Sequence, residues 1–363
     1  MAAALLWAGS LSILGARADV TIGLAGPLTG QYQAFGQQML VGVKAALDGI
    51  NAKGGIGGEQ LVLVTADDQC DAAKAEDAAQ KLITAHADVV IGSFCSVPSL
   101  AAARLYDKAG ITSISPAATL PLLTEAGLAT VIRLAPRADT QGAFAARRIL
   151  AKRPNARLAL LDDGTAQMKA LIASFSAAYG KGASLTASFA PDAKDYSDLV
   201  GKMKAAGIDT AYLAASATDA GRITAQAQAA GVAIKRYGPD SLLADAFWEA
   251  SGPAGEGTLV SFPDDPQNHN EAKGLLADLK ALGEATDGPA LPAYAAVQLF
   301  AAAAAAKGAH SGPAIAESLK SGEAFATVLG PLRFDAKGDP QDLRFNWFSW
   351  NNGAYQTIAA ETP

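Results

Sequence analysis

A chain of 363 residues has room for two domains with cores of their own, and with half its residues hydrophobic and 18% charged it falls in the globular class, not the disordered one. A formal net charge of −6, with Lys and Arg scattered along the chain, excludes the concentrated basic face that nucleic-acid binding requires.

The first segment is an apolar run from Ala2 to Leu14, with no Lys or Arg before it, followed by Ala16-Arg17-Ala18. A short apolar run ending in an A-x-A site marks a secretory signal, so cleavage after Ala18 and a periplasmic location are expected. Export would carry Cys70 and Cys95 into an oxidising compartment, where they either pair or stay as two free buried thiols. Two cysteines without neighbouring histidines do not make a zinc site.

Val20 to Ala25 reads as a first strand, and apolar residues at helical spacing predict a helix from Phe35 to Asn51, stopped by Gly54-Gly55. A strand at Leu61 to Val64 and a helix from Ala72 to His86 follow. Then come a buried strand, Val89 to Ile91, a polar turn from Gly92 to Ser96, and a helix opening at Pro98. A strand at Ile111 to Ile114 ends in Ser115-Pro116-Ala117-Ala118-Thr119, where the hydroxyl-then-proline pattern suggests a second helix N-terminus. Val131 to Leu134 is the next strand.

A helix from Thr140 to Ala151 leads into a second set. Strands at Leu158 to Leu161, Leu185 to Phe189, Thr210 to Leu213, Lys235 to Gly238 and Thr258 to Phe262 alternate with helices. Beyond Asp265 the pattern is mostly helical, and Ala301 to Ala306 suits close helix packing. Finally Leu332 to Phe334 and Leu343 to Trp350 alternate like paired strands across Gly338-Asp339-Pro340, with Phe345, Trp347, Phe348 and Trp350 forming an edge strand packed on a core. Strand–helix alternation laid down twice predicts an α/β protein of two doubly wound lobes.

Catalytic chemistry is poorly supplied. The three histidines, His86, His269 and His310, lie in polar or surface-like sequence, and no G-x-S-x-G, P-loop or H-E-x-x-H pattern occurs. Gly54, Gly55, Gly57 and Gly58 follow a helix and precede a strand, the reverse of a dinucleotide fingerprint. Asp67, Asp68 and Asp71 are turn carboxylates, so neither a metal nor a cofactor is expected.

Open α/β sheets bind ligands at the carboxyl ends of their strands. The candidate groups are therefore Phe94 to Ser96 and Ala117 to Thr119 in the first half, with Asp163, Ser216 and Asp240 in the second. Two turns with free N–H groups at the positive ends of helix dipoles suit a carboxylate, held by Ser96 and Thr119. Asp240, reached through Pro239 from its strand, could take an ammonium or cap the helix that follows.

Taken together, Asp48 to Ile56, Asp67-Asp68-Gln69-Cys70-Asp71, Ile91 to Ser96, Ser115 to Thr119, Gly238-Pro239-Asp240 and Gly330 to Asp339 give the chain its resemblance to the periplasmic leucine/isoleucine/valine-binding family, the amino-acid receptors of ATP-driven importers. The resemblance covers nearly the whole mature chain and implies two Rossmann-like lobes of the type I periplasmic binding fold, joined by three crossings. Lobe 1 would be residues 19–137 and 265–343, and lobe 2 residues 138–264 and 344–363. It implies a disulfide between Cys70 and Cys95, carboxylate binding at Ser96 and Thr119, and an ammonium shared by the Ala117 carbonyl and Asp240, where the family commonly has glutamate. A tyrosine lining the first lobe corresponds to Phe35, and two second-lobe tyrosines correspond to Ala166 and Ser216, so the pocket is enlarged on that side. The implied protein is a non-enzymatic, monomeric receptor that carries an amino acid or analogue to the membrane permease of an ABC importer. An ammonium-free acid or amide is the alternative ligand, and a doubly wound enzyme or a sensory domain the alternative class.

Overall fold

The computed structural model describes residues 19–308, 310–341 and 345–358. The expected signal segment, residues 1–18, lies outside them, as do Leu343 and Arg344 of the expected last strand.

The first half lays down β1 (Val20–Gly26), α1 (Gln33–Asn51), β2 (Leu61–Asp67), α2 (Ala72–Thr84), β3 (Val89–Ile91), α3 (Ser96–Lys108), β4 (Thr112–Ser115), α4 (Leu122–Glu125) and β5 (Val131–Arg133). Its strands are parallel in the order β2-β1-β3-β4-β5. Every residue of β3 is buried, because helices cover both faces of a parallel sheet and leave no solvent side to alternate towards. The order reverses between β1 and β3, and the segments that follow these two strands leave by opposite faces. A crevice opens at their carboxyl ends.

The second half comprises α5 (Thr140–Lys152), β6 (Leu158–Asp162), α6 (Ala166–Tyr179), β7 (Leu185–Ser188), α7 (Ser197–Ala205), β8 (Thr210–Ala214), α8 (Ala217–Ala229), β9 (Lys235–Gly238), α9 (Asp245–Ser251) and β10 (Leu259–Pro263). After it come α10 (Lys273–Ala281), α11 (Ala290–Lys307), α12 (Gly312–Leu319), β11 (Phe325–Thr327), β12 (Gly330–Leu332), β13 (Phe345–Asn351) and β14 (Ala354–Ile358). The second sheet runs β14-β13-β10-β9-β8-β6-β7, with β13 and β14 antiparallel and a reversal between β6 and β8. The chain thus passes to the second lobe after β5, returns after β10, and sends β13 and β14 to the second sheet.

Side chains of α11, α12, β11 and β12 share one core with α1 and the first sheet. Helix α11 is long and apolar enough to span a membrane, but it is a core helix packed on α1. Gly42 permits that packing, since a Cβ there would lie 2.0 Å from the Ala290 carbonyl oxygen. In the second lobe Trp347 packs into one core and Trp350 into the core on the opposite face of the sheet, as the two-residue period of a strand requires. The buried indole N–H of Trp350 donates to the Leu242 carbonyl at 2.8 Å.

Three local expectations are corrected. No helix starts after Pro116: the Ser115 hydroxyl accepts the Ala118 N–H at 3.2 Å, a turn that keeps the chain irregular until α4. Leu332 to Phe334 does not pair with the later aromatic strand, because β12 pairs with β11 and β13 pairs with β10 and β14. Alternation records which face of a strand is buried, not which strand lies beside it. For the same reason the aromatic strand is not at the edge, since β14 flanks it.

Candidate functional site

The first-lobe wall of the crevice is built from the turns that follow β1, β3 and β4. Asp67, at the end of β2, accepts the Leu28 N–H at 2.8 Å and also the backbone and hydroxyl of Thr29, fixing the turn after β1. Burial pushes the Asp67 carboxyl up, but the hydrogen bonds from Thr29, Gln69 and Leu28 outweigh it and the net direction is down. Asp68 is fully buried and receives the Ser93 hydroxyl and the Cys70 N–H. There burial dominates and its carboxyl is shifted up. A disulfide joins Cys70 to Cys95 with a Cα–Cα distance of 5.4 Å, tying the turn after β2 to the start of α3. Closing that loop contributes about 3.5 kcal/mol in the chain-entropy account. Between them, Gly92 approaches Ala25 so closely that a Cβ would sit 2.0 Å from its carbonyl oxygen, and its φ of 140° also needs glycine.

Ser96 opens α3, and Cys95 before it makes no side-chain capping bond. The Ser96 hydroxyl oxygen accepts the Thr119 N–H at 3.1 Å and the Leu120 N–H at 3.3 Å. A hydroxyl has two lone pairs and one proton. With both lone pairs used, the Ser96 hydroxyl keeps its proton to donate, beside the first-turn N–H groups of α3, which lack intrahelical partners. The Thr119 carbonyl accepts the Ala138 N–H at 2.9 Å, which fastens this turn to the first crossing between the lobes.

The second-lobe wall holds Ser216 and Asp240 at the adjacent ends of β8 and β9, joined by the Ser241 hydroxyl, which donates to the Ala215 carbonyl at 2.8 Å. Ser216 caps α8: its oxygen accepts the Asp219 N–H at 3.2 Å and its hydroxyl donates to the Asp219 carboxylate at 2.9 Å. Asp163 is likewise occupied by Thr165. Ala166, the first residue of α6, is exposed and brings only a methyl group. Asp240 starts a 3-10 turn and is exposed by area, although the protein around its carboxyl displaces water from it. That desolvation pushes its carboxyl up, opposed by the Ser241 N–H and the Gln141 side chain.

Phe35, in the first turn of α1, stacks on Phe94 with ring centroids 4.4 Å apart and planes 9° from parallel, so the pair bridges the reversal between β1 and β3. Phe35, Phe94 and Ala117 line a cavity of about 900 Å³ that runs towards the crossings between the lobes, where Leu134, Phe262, Asp264, His269 and Arg333 complete it. Ser96, Thr119, Ser216 and Asp240 lie outside this cavity. Phe94 and Ala117, each two residues before Ser96 and Thr119, carry the wall from one to the other.

Sequence reasoning missed the crossing side of the cavity. Phe262 and Asp264 sit at the carboxyl end of β10, so the strand-end rule applied elsewhere would have found them. His269, read as a surface residue, has Nε2 2.7 Å from Asp264 and Nδ1 3.0 Å from the Leu329 carbonyl. Among the described residues no group of three or more potential ligands could hold a metal ion.

Residues 19–354 match the model of the periplasmic binding protein family. The Leu/Ile/Val-binding protein homolog 1 of Brucella suis is 32% identical over 98% of this chain and 95% of its own. The leucine-specific-binding protein of Salmonella typhimurium is 32% identical over 94% and 93%. An ABC transporter substrate-binding protein from Desulfitobacterium hafniense, solved in complex with Leu, superposes with a TM-score of 0.73 at 26% identity, covering 94% of this chain and all of its own. These relatives are binding proteins, not enzymes, and this chain belongs with them to the leucine/isoleucine/valine-binding branch of the periplasmic binding protein family.

Proposed function

We propose that this receptor closes its two lobes on an α-amino acid, branched-chain or related, and delivers it as a monomer to the membrane permease of an ABC importer, working in the periplasm after removal of residues 1–18. The observation that carries the reading is the Ser96 hydroxyl, whose lone pairs are both taken by Thr119 and Leu120 and whose proton is free for an anion. The ligand carboxylate sits against Ser96, the Thr119 hydroxyl and the start of α3, where the helix dipole favours negative charge. Its ammonium meets the Ala117 carbonyl and, from the other lobe, Asp240. Ser216 contributes room, since its hydroxyl is engaged in its own helix cap. The hinge lies in the passages near residues 137 and 264.

A thermal-shift screen against the amino acids tests this, because a ligand present at about 100 times its Kd stabilises the folded state by about 2.7 kcal/mol. In calorimetry the Ser96→Ala, Thr119→Ala double variant loses about 3 kcal/mol or more of binding free energy, as charge-assisted donors to a desolvated carboxylate are removed. Unchanged affinity in that variant removes the carboxylate assignment.

A further inference from the structure

We infer that the amino acid this receptor takes carries an aromatic ring, seated in the cavity of about 900 Å³ against the free face of Phe35. The inference rests on the cleft being an amino-acid site, and it names the side chain.

Two large apolar rings, one from each side of the cleft, are left in water on the wall of this one cavity. Phe35 remains 37% exposed although Phe94 covers one of its faces, and Phe262, at the end of β10, is 38% exposed. Phe262 meets Phe348 in a T-shaped contact at 6.1 Å, so it too is held from one side and bare on the other. Rings placed in this way are completed by an apolar group entering between them. A flat one continues the offset stack begun by Phe35 and Phe94, gaining a quadrupole term that an aliphatic chain lacks.

The rest of the wall also suits a ring. Seven of the lining residues are prolines. Proline has no N–H and a fixed φ, so this backbone offers few donors that would need a polar partner, and it is stiff before the ligand arrives. Two of the polar side chains towards the crossings, Asp264 and His269, are turned on one another. Asp264 receives the Asn346 amide and faces His269, whose other ring nitrogen faces the Leu329 carbonyl. The hydrogen bonding of Asp264 and His269 is thus met within the protein and asks nothing of the ligand. Because Phe94 and Ala117 line the cavity just before Ser96 and Thr119, a ligand held there by its carboxylate directs its side chain inward.

Calorimetric titration of the receptor with L-phenylalanine, L-leucine, 3-phenylpropionate and 4-methylpentanoate separates ring from ammonium. The expected result is phenylalanine binding at least about tenfold more tightly than leucine, with Phe35→Leu lowering phenylalanine affinity about tenfold and leucine affinity by a smaller factor. Phe35 is exposed, so the variant keeps its fold, as a melting curve will verify. Leucine binding as tightly as phenylalanine, or an equal loss for both in Phe35→Leu, overturns the ring and leaves the amino-acid reading standing. Binding of 3-phenylpropionate in preference to all three others keeps the ring and overturns the ammonium. Failure of all four ligands to bind overturns both.

Discussion

In the proposed binding mode Asp240 is asked to be two things at once. Desolvation by the surrounding protein raises its carboxyl pKa, so the ionised form costs the folded protein stability. That cost is full above the raised value, declines as pH falls through it, and is gone below the unfolded carboxyl value near 3.8. The ammonium of a ligand needs the ionised form. Amino-acid affinity is therefore expected to be greatest above the raised pKa and to fall as pH drops through it, by up to about tenfold per pH unit for one proton. Asp240→Asn is expected to cost about 2 kcal/mol of binding at neutral pH and to flatten this dependence, while raising the melting temperature of the ligand-free protein. Calorimetric Kd values across the acid range check this. A wild-type profile that runs parallel to that of Asp240→Asn would show that Asp240 meets no ammonium.

Between residue and molecule stands a buried ionic cluster that ties the turn at Thr119 and Leu120 to the rest of lobe 1. Arg133, fully buried at the end of β5, donates to Asp339 from Nε at 2.8 Å and from a terminal nitrogen at 2.6 Å, and to the Leu120 carbonyl at 2.6 Å. Thr124 donates to the same carboxylate, and Arg137 reaches it at 3.1 Å while also holding Asp139 and Glu125. Leu120 thus has its carbonyl held by Arg133 and its N–H by Ser96. Asp339→Ala leaves the Arg133 guanidinium buried and unpaired, and a loss of about 3–5 kcal/mol in chemical denaturation is expected. A loss below about 1 kcal/mol would mean that water or Glu125 takes over. The chain pattern revealed part of this level and hid the rest. The buried strand Val89–Ile91 was legible to the residue because the apolar run is too short for a helix and stops at Gly92. Helix α3 begins two residues before the expected Pro98, since proline is tolerated throughout a first turn whose N–H groups lack intrahelical partners. Cluster and cavity stayed hidden, because Arg133 and Asp339 lie 206 residues apart and Phe35 shares a wall with Arg333. No local periodicity records such a meeting.

At the scale of the whole molecule, the division of labour that the proposed binding mode gives the lobes decides how binding becomes closure. Ser96, Thr119 and Ala117 belong to the first sheet, whereas Asp240 belongs to the second. A ligand shifts an open–closed equilibrium only by the difference in its affinity for the two states. Contacts with lobe 1 alone are the same in both states and drive no closure, so in the proposed binding mode the work of closing falls on what lobe 2 adds, chiefly Asp240 and Phe262. Moving such an equilibrium from 1:99 to 99:1 takes about 5.5 kcal/mol of differential affinity. Asp240→Asn, by removing about 2 kcal/mol of it, is expected to leave a substantial open fraction even when every site is filled. Small-angle scattering at saturating ligand measures this directly. Wild type should contract to a single compact form, and Asp240→Asn should stop at a radius of gyration between the free and the closed values. Full contraction of the saturated variant would place the closing contacts elsewhere in lobe 2, with Phe262 at the mouth of β10 the next residue to change.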